Sequence, residues 1–200
     1  IICYGNILAS HPYSDSKDFI DKLPDVPKII LGSELPKKNT VSVVFDNYRS
    51  MKAVVSHLIE KHGIRDNIAF ISGPKVSQSA KWRMDAFIDA LKEHGVPFHN
   101  DLVVYGNYMN NVDDIVEQLF LSEKKVRAIV SSNDEMCNAV YRIAKLKGYT
   151  IGEDLFVEVS HGPTLVDNNV FLSAHAAKLA TQGAAFVHNV ITGAFTSVGE

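Results

Sequence analysis

Short, continuous apolar runs alternate along this chain with stretches of helical periodicity. The clearest example spans residues 41–87, VSVVFDNYRSMKAVVSHLIEKHGIRDNIAFISGPKVSQSAKWRMDAF. VSVVF reads as a strand ending at Asp46, and Met51, Val54, Val55, Leu58 and Ile59 then share one helical face up to Gly63. IAFISG is a second strand, and it opens a helix that carries Ser79, Trp82 and Arg83. Apolar runs without period-2 alternation mark strands covered on both faces, as in a parallel sheet flanked by helices. Ligands of such open sheets bind where neighbouring strands end. Here that edge receives polar groups, the layout of a small-molecule receptor.

The same rhythm continues on both sides. Strands are expected near residues 1–8, 28–31, 42–45, 68–71, 102–105, 128–130 and 155–159. Between them, Met84, Phe87, Ile88 and Leu91, and then Val112, Ile115, Val116, Leu119 and Phe120, keep helical spacing. Gly63, Gly95, Gly148 and Gly193 each follow a helical segment, where a left-handed cap residue belongs. Ser132 with Glu135 reads as a capping box for a helix running to Lys147. A last helix is expected from Leu179 to Thr192. The fold class is therefore α/β, doubly wound, with parallel sheets. Residues 34–40, ELPKKNT, break the rhythm as a crossover between two lobes, and an irregular stretch from Gly162 to Asn169 precedes the last helix. Ile1, Ile2, Cys3 and Tyr4 read as the middle of a buried strand, so a longer protein is expected around this segment.

Bulk properties exclude several functions. The net charge is −3 and basic residues cluster no further than pairs such as Lys37-Lys38. A chain of this kind does not by itself neutralise a phosphate backbone. No apolar run approaches the ~18 residues that a membrane span requires. Cys3 and Cys137 stand alone, as buried thiols do in a reducing cytoplasm. The 8 histidines are scattered without metal-ligand spacing. His57 and His62 lie five apart and are expected to point to different faces of their helix, so neither metal nor cofactor is expected. No G-x-S-x-G elbow, phosphate loop or dinucleotide fingerprint occurs. Ser160 and His161, with Asp134, make a poor nucleophile–base pair because adjacent residues after a strand point apart. No catalytic residue is expected.

The strand ends hold Asp46-Asn47, Gly73-Pro74, Gly106-Asn107-Tyr108, Ser132-Asn133-Asp134 and Ser160-His161-Gly162. Right-handed crossovers bring these turns to one edge. Fixed donors and acceptors with flat faces from Tyr108 and Trp82 suit a neutral polyhydroxyl or heterocyclic ligand. Taken singly, Asp46 and Asn133 read as helix caps sooner than as ligand contacts. Arg83 has a surface ion pair with Asp85 or Glu93 as its competing role, and Trp82 suits core packing better than stacking.

In order and spacing these segments resemble the effector-binding domain of LacI-type transcriptional regulators, which share the fold of periplasmic sugar-binding proteins. VSVVFDNYRSMKAVVSHLIEKHGIRDNIAFISG, SQSAKWRMDAF and IVSSNDEMCNAVYRIAKLKGYTIGEDLFV are similar to three consecutive family signatures. The resemblance implies a two-lobed fold with an incomplete first lobe: residues 1–44 with 174–200 as the amino-terminal lobe, and 45–173 as the carboxy-terminal one. It implies ligand contacts from Ser79, Arg83, Tyr108, Asn133 and Asp134, with His161 in place of a pocket aspartate and Asp46 at a neighbouring strand end. Gly32 stands where the family often has an acidic residue, and Ala86 where it usually has glycine. The implied function is a sensor domain that binds a sugar-like or related polar effector. It would act in the cytoplasm as a homodimer, without membrane contact, and reach DNA only through a module absent from this chain. The sensor of a nucleotide cyclase or kinase, or the periplasmic receptor of a transporter, are the alternatives.

Overall fold

The computed structural model describes residues 1–4, 18–31, 38–43 and 45–159, together with the backbone of short strands between 165 and 197. By packing the chain divides into two units, residues 1–160 and 161–200.

The first unit holds two parallel sheets. Strands β1 (Ile2–Tyr4), β2 (Lys28–Leu31) and β3 (Thr40–Val43) lie side by side in that order. One side of this sheet buries Ile30 against Ile20, with Cys3 and Leu23 packed alongside. Ile2, Ile29, Val41 and Val43 are exposed, so full cover on both faces, expected from the apolar runs, does not hold for this sheet among the described residues.

The second sheet contains β4 (Ile68–Ser72), β5 (Val103–Tyr105), β6 (Ala128–Ser131) and β7 (Phe156–Val159), in the order β5-β4-β6-β7. Its helices are α1 (Asn47–Lys61), α2 (Gln78–Glu93), α3 (Asp113–Phe120) and α4 (Asp134–Leu146). Every residue of β4 and β6 is buried, because both strands are central and covered twice. Their alternation splits the core in two. Ile68, Phe70, Ala128 and Val130 pack with Leu58 and Ile59 of α1 and Phe87 and Leu91 of α2. Ala69, Ile71 and Ile129 turn the other way, to Val116 and Leu119 of α3 and Val140 and Ile143 of α4. The front layer is centred on Phe70 stacked on Phe87, ring centroids 4.8 Å apart. This is the doubly wound arrangement that the apolar runs predict.

Helix ends follow the local sequence. Asp46 caps α1 by accepting from the Arg49 amide at 2.9 Å. Gly95 and Gly148 take left-handed φ values of 67° and 78°. They close α2 and α4 with paired bonds: Val96 N–H to the Leu91 carbonyl at 2.9 Å, and Tyr149 N–H to that of Ala144 at 2.9 Å. The capping box expected at Ser132 and Glu135 is corrected by one residue. Asn133 is the cap of α4, its side chain accepting from the Met136 amide. Cys137 is buried on α4, and burial pushes its thiol up to about 12.

The second unit is described by backbone alone. β8 (Leu165–Asp167), β9 (Val170–Phe171) and β10 (His175–Leu179) pair in parallel with β11 (Ala185–Val187), β12 (Val190–Ile191) and β13 (Ala194–Ser197) respectively. The helix expected over 179–192 is therefore not found at its described residues. Phe186, Val187, Val190 and Ile191 are aromatic or β-branched, types that favour an extended backbone.

Candidate ligand-binding site

The connections leaving β4 and β6 run to opposite faces, α2 to the front and α4 to the back. Adjacent strands whose exits diverge leave a crevice at their carboxyl ends. Three turns meet there: Gly73–Ser77 after β4, Gly106–Val112 after β5, and Ser132-Asn133 after β6. The turns are stitched to the sheet edge, with Gly106 N–H bonded to the Ser72 carbonyl at 2.8 Å and Ser132 N–H to that of Ile71 at 3.0 Å.

Tyr108 organises the crevice. Its φ is +66°, a left-handed value that costs a side-chain-bearing residue on the order of 1 kcal/mol or more. Two asparagines hold it there. Asn107 accepts the Met109 amide at 2.9 Å, closing a turn around Tyr108. Asn133 donates from Nδ2 to the Tyr108 carbonyl at 2.9 Å. The ring lies against Gly73, where an added Cβ would sit 2.1 Å from ring carbon Cζ. The tyrosine hydroxyl then reaches Ser77 Oγ at 3.3 Å and Ser79 Oγ at 3.2 Å, and those two hydroxyls are 2.9 Å apart.

Arg83, one turn into α2 from Ser79, completes the group. Its Nε is buried and, among the described residues, has no hydrogen-bond partner. Burial lowers its pKa, partly offset by the Tyr108 hydroxyl that its guanidinium faces. A surface ion pair is not its role, because Asp85 is held by Lys81 at 2.5 Å and Glu93 by Lys52 at 2.6 Å. A buried cationic donor with an unused N–H beside three hydroxyls can grip an oxygen-rich ligand, since such a group is costly to leave unpaired.

Ser79, Arg83, Tyr108 and Asn133 thus come together. Asp134 lies exposed in the first turn of α4, next to that group. Asp46 is exposed and serves as the α1 cap; among the described residues its carboxylate makes no bond to the serine–tyrosine group. His161 and Gly32 lie outside the described residues. Trp82 is half-buried and belongs to neither core cluster. Gly73, named from the sequence among the strand-end residues, and Ser77, which was not, also belong to the site. Ser77 was legible as a helix cap, and its Oγ does accept the Ala80 amide.

Asn133 carries two loads that substitutions separate. Asn133→Ala removes the cap, at a cost of about 1 kcal/mol, and the strut to Tyr108, at about 1 more. Asn133→Asp keeps the cap acceptor and loses only the strut donor. Urea unfolding is expected to place the aspartate variant between wild type and alanine; equal losses would show that capping contributes little.

The chain is similar to known proteins over most of its length. A family model described as periplasmic binding proteins and sugar binding domain of LacI family matches residues 7–184. The chain is 28% identical over 151 residues to the HTH-type transcriptional regulator AscG of Escherichia coli, covering 74% of this chain and 44% of AscG. It is 24% identical over 153 residues to the ribose operon repressor of Escherichia coli, covering 76% of this chain and 46% of that one. Among solved structures, a LacI-family sugar-binding transcriptional regulator from Escherichia coli, complexed with phosphate, superposes with a TM-score of 0.67 at 27% identity, covering 80% of this chain and 55% of that one. The chain spans less than half the length of these two curated relatives.

Proposed function

This chain belongs to the family of periplasmic binding proteins and LacI-type sugar-binding domains, and from that premise we propose that it is the effector-sensing part of a transcriptional regulator. The observation that carries the reading is the buried, unpartnered Arg83 Nε beside the hydroxyls of Ser77, Ser79 and Tyr108. Those groups, with Asn133 behind them, suit a small sugar-like or related polar molecule rather than an apolar one. Arg83 supplies a charged donor, the serines donate or accept, and the Tyr108 ring offers a flat face.

Signal output follows from differential affinity. The proposal keeps the two lobes of the sequence reading, residues 1–44 with 174–200 and residues 45–173. A ligand that binds one arrangement of them better shifts their equilibrium by that difference and no more. DNA contact falls to parts of the full regulator outside these 200 residues, in keeping with a net charge of −3. A cytoplasmic homodimer and absence of catalysis complete the proposal, supported by relatives that are transcriptional regulators. Among the described residues no helix is long and apolar enough to cross a membrane.

The test is a thermal-shift screen of the purified chain against sugars, sugar phosphates, nucleobases and amino acids. A ligand present at 100 times its Kd stabilises the native state by about 2.7 kcal/mol. A polar, hydroxyl-bearing hit is expected. A folded sample that responds to nothing in the panel would overturn the assignment of a working effector pocket to these residues.

A further inference from the structure

Helix α1 was expected to send His57 and His62 to different faces. The helix instead ends at Lys61, so His62 is the capping residue beyond it, with φ −101° and ψ −4°. The two imidazoles nevertheless meet edge to face with centroids 5.0 Å apart. A ring of β7 supports this position: His62 lies over Phe156 at 4.7 Å.

Strand β7 adds a third group. Phe156 packs into the front core and Val157 into the back one, so strand alternation turns Glu158 forward, to the α1 side. Its carboxylate is 3.0 Å from His57 Nδ1, and its side chain is only 15% exposed. Among the described residues no lysine or arginine pairs with it. A largely buried carboxylate whose one partner is an imidazole invites a cation more than a carboxylate at the surface does.

We propose that His57, His62 and Glu158 form a site for a divalent transition metal of the zinc type. One ligand atom from each lies within 4.8 Å of the others. Zinc holds imidazole nitrogen at about 2.0–2.1 Å and carboxylate oxygen at about 2.0–2.2 Å, so an inward movement on the order of 1 Å closes the set. Two imidazoles and one carboxylate match the donor preference of zinc, cobalt and nickel rather than of calcium or magnesium. Three protein ligands leave a fourth position for water or another donor. His62 packs on the first residue of β7 and Glu158 is its third, so the site lies on the edge strand opposite β5, the strand whose following turn carries Tyr108. The metal would tie the end of α1 to the edge strand of the sheet, and so stabilise that lobe independently of effector binding.

Tag-free chain is titrated with Zn²⁺ by calorimetry, and with Co²⁺ by visible absorption to read coordination. One equivalent of metal, a raised melting temperature and the intense absorption of a low-coordinate cobalt site are expected. His57→Ala and His62→Ala are each expected to weaken affinity at least tenfold, and Glu158→Gln, which keeps the shape, to do the same. Both histidines are exposed, so their variants are expected to melt like the metal-free parent, and Glu158→Gln serves as the third reading. No uptake of either ion would overturn the site. So would uptake unchanged in the His57→Ala/His62→Ala double variant, which would put the metal on other histidines.

Discussion

Arg83→Ala is expected to abolish the ligand response of the chain while leaving its melting temperature within a few degrees of the parent. The two halves of this result have separate causes. Hydrogen bonds to a charged group contribute about 1.5–3 kcal/mol each, and a ligand oxygen gripped by the guanidinium takes more than one of its N–H groups. Loss of both corresponds to about 100-fold or more in Kd. For stability, the opposing terms nearly balance. The side chain gives up packing and its approach to the Tyr108 hydroxyl when truncated, yet its charge is desolvated and, among the described residues, its Nε has no hydrogen-bond partner. No carboxylate is stranded by its removal, since Asp85 and Glu93 are paired with Lys81 and Lys52. Arg83→Lys is expected not to restore binding, because an ammonium cannot reproduce the planar fork. A retained response would remove Arg83 from the pocket. A collapsed melting temperature would show that the guanidinium holds α2 against the Tyr108 turn instead.

Which features were legible in the sequence depended on the range of the forces involved. The β4 and β6 runs announced central strands because every residue in them is apolar or small, and both are buried throughout. Met51 to Ile59 announced the buried face of α1 for the same reason. Gly95 and Gly148 announced helix ends because a left-handed residue is a local requirement. Crossover handedness alone collects the strand ends on one edge, Tyr108 and Asn133 among them, whereas Ser79 and Arg83 as ligand contacts rest on the resemblance to LacI-type domains.

What stayed hidden depends on a residue's partner in space. Ser77 caps α2, but its contact to Tyr108 comes from a turn 31 residues away, which no local pattern reports. Gly73 stands in the sequence as a strand-end residue, but that the Tyr108 ring lies against it is set by a partner distant in the chain. The meeting of His57 and His62 also stayed hidden, because periodicity places side chains around a helix and says nothing of where the ring of a capping residue at its end comes to rest. Exposure of Ile29, Val41 and Val43 could not be read either, since an apolar run reports what a strand suits rather than what covers it. Phe186 to Ile191 shows the same ambiguity in short apolar segments, where helix and strand patterns overlap.

Gly73→Ala is expected to destabilise the chain by about 1–3 kcal/mol, as overpacking does in a filled interior. The added methyl would lie 2.1 Å from Cζ of Tyr108 and 2.3 Å from its hydroxyl oxygen. Contacts that short do not exist, so either the ring or the strand end must move. Gly73 follows β4, a fully buried central strand, and cannot shift cheaply. The ring is the part that yields. Moving it breaks the approach of its hydroxyl to Ser77 and Ser79 and exposes the turn to its own left-handed strain. A double-mutant cycle isolates this account. In a Tyr108→Ala background the methyl meets no ring, and Gly73→Ala is expected to cost less than about 0.5 kcal/mol. Full additivity of the two changes would place the penalty in the backbone of residue 73, and Tyr108 would then lose its part as the group that shapes the crevice. A cycle with strong coupling would make Gly73 and Tyr108 one unit, in which the absence of a side chain at residue 73 lets an aromatic ring lie against the strand end.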